Sequence, residues 1–178
     1  MIASQTKSNE WYTPSKYIEA AREVMGSIDL DPASCELANQ TVKASRYYTK
    51  EDDGLEQSWY CNSMWLNPPY GRTLEMKAKH QSTIDLFVSR LVAEYEQGNV
   101  HQAILLVPAT IGTHWFSLLW RYSICFHTGK IKFIAPVKHT TYSHAYGTCL
   151  IYLGKNEQKF IEVFSQFGTI AKRVSAPK

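Results

Sequence analysis

Residues 63–72 read SMWLNPPYGR, and the centre, Asn67-Pro68-Pro69-Tyr70, sets an amide, two prolines and a phenol directly behind an apolar run. Two consecutive prolines lack N–H groups and fix φ, so they cannot continue a strand or sit inside a helix. Met64-Trp65-Leu66 therefore reads as a strand stopped sharply, with a stiff turn presenting Asn67 and Tyr70 at its end. Two further turns carry acids beside a proline or a glycine: Asp29-Leu30-Asp31-Pro32 and Asp52-Asp53-Gly54. Carboxylates at strand ends suit an amine or ribose hydroxyls and repel phosphate. The sequence has neither a G-x-x-x-x-G-K-[ST] loop nor a G-x-G-x-x-G fingerprint, which excludes a nucleoside triphosphate site. A positively charged nucleoside without phosphates fits such turns better.

These turns need a scaffold that brings strand ends together. Apolar residues Tyr17, Ala20, Ala21 and Val24 recur at helical spacing after Thr13-Pro14-Ser15, and Gly26 stops that helix over 16–25. A short strand over 28–32 follows, then a helix-compatible segment over 33–43 and a strand over 44–49. Ile84, Leu86, Phe87, Leu91, Val92 and Tyr95 mark an amphipathic helix, and the run QAILLV over 102–107 has the pattern of a strand buried on both faces. Beyond Pro108 come a short helix over 115–122, strands over 124–127, 131–134 and 148–153, and a closing helix over 160–167. Strands alternating with helices predict an α/β fold: a mostly parallel twisted sheet, helices on both faces and an antiparallel hairpin at one edge. In such sheets ligands bind at the carboxyl ends of the strands. The chain of 178 residues shows no internal repeat and no interior linker, so a single domain is expected, with residues 1–8 flexible.

Composition narrows the classes. A hydrophobic share of 44% and a charged share of 20% are those of a soluble globular protein, and no apolar run approaches the length of a membrane span. The net charge of +3 permits nucleic-acid binding without demanding it, while 13% aromatic residues supply rings that can stack on bases or fill a core. The four cysteines form no C-x-x-C pair, and the six histidines show no metal-ligand spacing. With no secretory segment at the start, a reduced, cytoplasmic protein without a metal and without an obligate protein partner is expected.

The motifs, taken in order, carry a resemblance. W-Y-T-P, I-D-L-D-P-A-S with Ala38-Asn39 behind it, D-D-G-L followed by Trp59, then W-L-N-P-P-Y, and later G-K-I-K-F together resemble the small phage and prophage Dam-type DNA N6-adenine methyltransferases. The similarity spans roughly residues 10 to 154. It implies a Rossmann-like methyltransferase fold, S-adenosylmethionine as methyl donor, and duplex DNA as acceptor with the target adenine flipped out. It assigns catalysis to Asn67, Pro68, Pro69 and Tyr70: the Asn67 amide oxygen and the Pro68 carbonyl to the amine, the Tyr70 ring to the base. Donor binding falls to Trp11, Tyr12, Thr13, Pro14, Asp31, Pro32, Ser34 and Asp53, and to Asp29 if a regular strand sets it on the face of Asp31. Many relatives carry a glycine-rich F-x-G-x-G loop after the first strand. Here Ala33-Ser34-Cys35 stands instead, small enough for close approach.

Plainer roles stay open beside these. Asp29 and Asp31 suit the cap of the next helix, Thr13-Pro14 a helix start, and Asp52 and Asp53 an ordinary turn. Two loops, 71–83 and 135–147, are candidate DNA-contacting elements: the first with Arg72, Lys77 and Lys79, the second with Lys138, His139, Tyr142 and His144. Either can also be a solvated surface. The same turn chemistry serves other planar amines, namely an RNA adenine, cytosine N4 or a protein glutamine. A non-catalytic nucleic-acid-binding protein on the same fold is the rival of a different class.

Overall fold

The computed structural model describes residues 11–70, 82–134, 141–142 and 146–174. The first helix, α1 (Ser15–Met25), opens behind Pro14, whose carbonyl accepts the Tyr17 N–H at 3.1 Å. It buries Tyr17, Ile18, Ala20, Ala21, Val24 and Met25, and it ends at Gly26, where φ is 85°, a left-handed value that glycine adopts without penalty. β1 (Leu30–Asp31) and α2 (Glu36–Val42) follow. The predicted helix over 33–43 starts late for a physical reason. The Ala33 N–H bonds the Asp31 side chain at 3.2 Å and the Ser34 N–H bonds the Tyr48 carbonyl at 2.8 Å, so both residues belong to the loop. Cys35 then caps α2, its Sγ accepting the Ala38 N–H at 3.4 Å.

After β2 (Arg46–Tyr47) and β3 (Cys61–Leu66), the amphipathic helix α3 (Thr83–Glu96) is capped by Ser82, whose hydroxyl accepts the Asp85 N–H at 3.3 Å. β4 (Val100–Pro108), α4 (His114–Ser117), β5 (Ser123–His127), β6 (Phe133–Ile134), β7 (Thr141–Tyr142), β8 (Thr148–Leu153), α5 (Glu157–Phe164) and β9 (Gly168–Ala171) complete the order. β9 has no counterpart in the sequence reading. It lies against β5 through Gly168, where an added Cβ would sit 2.0 Å from the Phe126 carbonyl oxygen, so only glycine fits.

The seven-stranded sheet has the order β2-β1-β3-β4-β8-β5-β9, and β6 and β7 pair separately. β1 pairs parallel with β2 and β3, and β3 with β4; β8 is antiparallel to both β4 and β5, and β9 to β5. β1 to β5 therefore all run one way, and the sheet is a mostly parallel, Rossmann-like α/β arrangement. The antiparallel part is built by inserting β8 between β4 and β5, where a simple edge hairpin was expected.

Side-chain alternation along the central strands builds two cores. On β4, Ala103, Leu105 and Val107 face a cluster with Phe87, Leu91, Trp115 and Phe116, so α3 and α4 cover that side. Ile104 and Leu106 face the opposite cluster with Tyr17, Ile18, Phe160 and Phe164, so α1 and α5 cover the other. No helix among the described residues is long and apolar enough to cross a membrane.

Candidate functional site

The common direction of β1, β3, β4 and β5 brings their carboxyl ends to one edge. Leu30 is level with Met64 in the β1–β3 ladder, so Asp31 stands beside Trp65 and Asn67 extends just beyond. Pro68 is buried and Pro69 exposed, and the pair turns the chain away from the sheet. The Asn67 amide is held on both sides. Its Nδ2 donates to the Trp11 carbonyl at 3.5 Å and to Thr13 Oγ1 at 3.4 Å, while Oδ1 accepts the Tyr70 hydroxyl at 2.8 Å. The same hydroxyl reaches the Leu106 carbonyl at the end of β4, at 3.3 Å. Burial raises the Tyr70 phenol far above the ordinary range, so it stays a protonated donor at every physiological pH.

The second half of the site hangs from β1. Asp31 is only 3% exposed, and no cation pairs with it among the described residues. Burial pushes its carboxyl up to about 7, against the opposing pull of the Ala33 N–H and the Ser34 hydroxyl. The buried Ser34 hydroxyl lies beside this carboxylate, yet it completes no hydrogen bond of full geometry. A buried carboxylate lacking a counter-charge and a buried hydroxyl short of a full hydrogen bond both cost stability in a closed fold. A cationic, hydrogen-bonding ligand would satisfy both.

A third strand of contacts brings in the acidic turn. Gly54 packs so tightly on Pro32 that a Cβ would lie 1.9 Å from the Pro32 carbonyl oxygen. Asp53 before it holds a left-handed φ of 50°, and its Oδ1 accepts the Leu55 N–H at 3.1 Å, which leaves the exposed carboxylate a second oxygen for a ligand. Asp52 is engaged locally: the Thr49 N–H and hydroxyl both donate to it at 2.8 Å and hold its carboxyl below the usual range. The turn is braced from beneath. The buried Trp59 indole N–H donates to the Gly54 carbonyl at 2.7 Å. Arg90 of α3 stacks over Trp59 at 4.5 Å and donates to the carbonyls of Gly54, Leu55 and Gln57.

Most of the sequence-predicted residues thus meet at one edge. The 11–14 segment crosses it: Tyr12 pairs with Ile134 through both backbone groups at 2.9 Å, its hydroxyl accepts from Cys35 Sγ at 3.7 Å, and Trp11 and Thr13 hold Asn67. Asp29 is not brought to this edge. It precedes β1, and its carboxylate accepts the Ser27 hydroxyl at 2.8 Å and the Asn62 N–H at 3.1 Å, bracing the start of β3. The Tyr70 ring packs on the core below the turn. Arg72, Lys77, Lys79, Lys138, His139 and His144 lie outside the described residues, as does the side chain of Tyr142, whose backbone belongs to β7. Sequence reading named Gly54 and Trp59 as parts of one motif without the bond between them, and it missed Arg90. A lone arginine amid the apolar positions of an amphipathic helix was the available signal for Arg90.

No curated protein matches the chain. A family description, DNA N-6-adenine-methyltransferase (Dam), matches residues 3–173 of the 178. With the held amide after β3, the buried acid at the end of β1 and this match across nearly the whole length, the chain belongs to the DNA N-6-adenine-methyltransferase (Dam) family.

Proposed function

We propose that the protein is a single-domain enzyme that transfers a methyl group from S-adenosylmethionine to the N6 amine of an adenine turned out of duplex DNA. The observation that carries this reading is the Asn67 amide, fixed between Thr13 and Tyr70 at the end of β3, one strand from the uncompensated Asp31. An exocyclic adenine amine is a weak nucleophile because its lone pair is delocalised into the ring. Asn67 Oδ1 and the Pro68 carbonyl each accept one N6 hydrogen, which favours a pyramidal nitrogen with a localised lone pair. An amide oxygen has two lone pairs, so Oδ1 keeps the Tyr70 hydroxyl while taking the amine. The prolines hold both acceptors in register, and catalysis rests on positioning. The ring of Tyr70 supplies a face for the flipped base once it is in place.

When bound, S-adenosylmethionine supplies a methyl group activated by a sulfonium. The residues present fit it. Asp31 receives the ammonium group, the Ser34 hydroxyl and the Pro32 backbone receive neighbouring polar atoms, and the free Asp53 oxygen faces ribose hydroxyls or the adenine amine. Trp11, Tyr12, Thr13 and Pro14 close the site from above, next to the amide that Trp11 and Thr13 already hold. The test is the partition of label from methyl-labelled donor among duplex DNA, RNA and a protein extract offered together. Label recovered in DNA as N6-methyladenine supports the reading. Label recovered as N4-methylcytosine, in RNA or on glutamine would move the same chemistry to another planar amine, and no transfer with weak donor binding would leave a nucleic-acid-binding protein.

A further inference from the structure

Pro14, one residue past the Asn67 partner Thr13, forms part of the wall of an open depression of about 380 Å³ whose other walls are Lys16, Tyr17, His127, Lys130 and Lys132. Its position follows from topology. β5 runs with β1 and β3, so His127 at its end reaches the same sheet edge as Asn67. The next strand is pinned beside the site by the Tyr12–Ile134 pairing. Along 130–134 the chain alternates: Ile131 and Phe133 are buried at 1% and 0% exposed, while Lys130 and Lys132 point outward and are exposed. Lys16, in the first turn of α1, leans over the Tyr17 and Phe167 rings at 4.9 and 5.9 Å.

No carboxylate lines the depression, and none of the three lysines is in an ion pair among the described residues. His127 adds no fourth charge. Its Nε2 accepts the Tyr17 hydroxyl at 2.8 Å, and burial, with the Lys16 charge, lowers its basicity. Three unneutralised ammonium groups around a pocket call for an extended anion. Lysines are point charges without a fixed fork, so they hold phosphates and do not read bases.

We propose that Lys16, Lys130 and Lys132 form a face that holds backbone phosphates of the DNA strand flanking the target adenine. This rests on the DNA acceptor proposed above and names a second contact region beside the loops singled out in the sequence. Its function is to place the strand over Asn67, independent of base sequence.

The test is duplex binding against salt for the wild type and for Lys130→Gln/Lys132→Gln, with Lys172→Gln/Arg173→Gln as control. The control removes equal charge at the end of β9, the opposite edge of the sheet. Each lost phosphate contact should make the slope of log K on log salt shallower by about 0.9, hence by about 1.8 for the site variant. The control should keep the wild-type slope, donor affinity should stay unchanged in both, and the site variant should show a raised KM for DNA at near wild-type kcat. An unchanged slope, or an equal loss in the control, would overturn the proposal. A tenfold fall in donor affinity with the DNA slope intact would overturn it too, by assigning the lysines to the donor's carboxylate. Failure of the acceptor reading itself would be visible separately, as absence of DNA binding and methylation by the wild type.

Discussion

Asp31 is where a single side chain links stability to the proposed donor contact. In the unfolded chain its carboxyl ionises near pH 4, whereas in the fold it holds its proton up to about pH 7. The folded form therefore binds the extra proton between these values, and stability of the ligand-free protein falls as pH rises from about 4 to about 7, then levels. A cationic donor prefers the ionised form, so its affinity should rise with pH across about 5 to 7 and plateau above. Asp31→Asn should flatten that profile, weaken donor binding roughly ten- to hundred-fold through the lost charge-assisted bond, and raise the melting temperature of the ligand-free protein at pH 8. Calorimetric titration and thermal melts check both halves, and a wild-type pH profile kept by the variant would contradict the role. Tyr70 is tested by separating ring from hydroxyl. Tyr70→Phe should lose about 1 kcal/mol of stability with the bonds to Asn67 and Leu106 and keep activity within several-fold. Tyr70→Ala, lacking the stacking face, should lose roughly ten- to hundred-fold in kcat, since stacking contributes roughly 1–3 kcal/mol.

At the scale of elements, the acidic turn is shaped by a helix behind it. The Arg90 guanidinium spans the Gly54, Leu55 and Gln57 carbonyls and pairs with Glu94 at 3.2 Å. Arg90→Ala should raise the donor Kd at least about tenfold, through the displaced Asp53 turn, and leave kcat at saturating donor little changed. Arg90→Lys should fail to rescue it, because one ammonium cannot span three carbonyls. Equal donor binding by wild type and Arg90→Ala would show the brace to be structural alone. The brace also marks where the sequence stops being readable. Asn67 and Asp31 were legible because prolines and strand ends fix such residues by local rules, and Thr13 came into view only through the resemblance of its motif. Arg90 acts on a turn more than thirty positions away, and no local pattern encodes that contact. Asp29 shows the opposite case: two residues from Asp31 in sequence, it lies before a strand only two residues long and is bound to Ser27 and Asn62 instead.

For the whole molecule, the alternation on β4 and the helix stripes of α1 and α3 made the two-sided α/β layering predictable, because burial on both faces leaves a continuous apolar run. The insertion of β8 between β4 and β5 was not legible, since the choice among neighbours for a long-range strand is settled by packing of both cores at once. β9 escaped because its contact with β5 depends on one absent side chain, at Gly168. What the assembled sheet does is hold an amide, a buried acid and a cationic face along one edge. The most direct test compares wild type with Asn67→Ala on mixed-sequence duplex DNA, with donor binding measured in parallel and products digested to nucleosides and identified by mass. The predicted result is N6-methyladenine from the wild type and roughly a hundred- to thousand-fold less from the variant, a loss on the scale of a preorganised polar group at a reacting centre, with donor affinity unchanged. Undiminished N6-methyladenine from Asn67→Ala would contradict the assignment of the amide as the group that positions the amine.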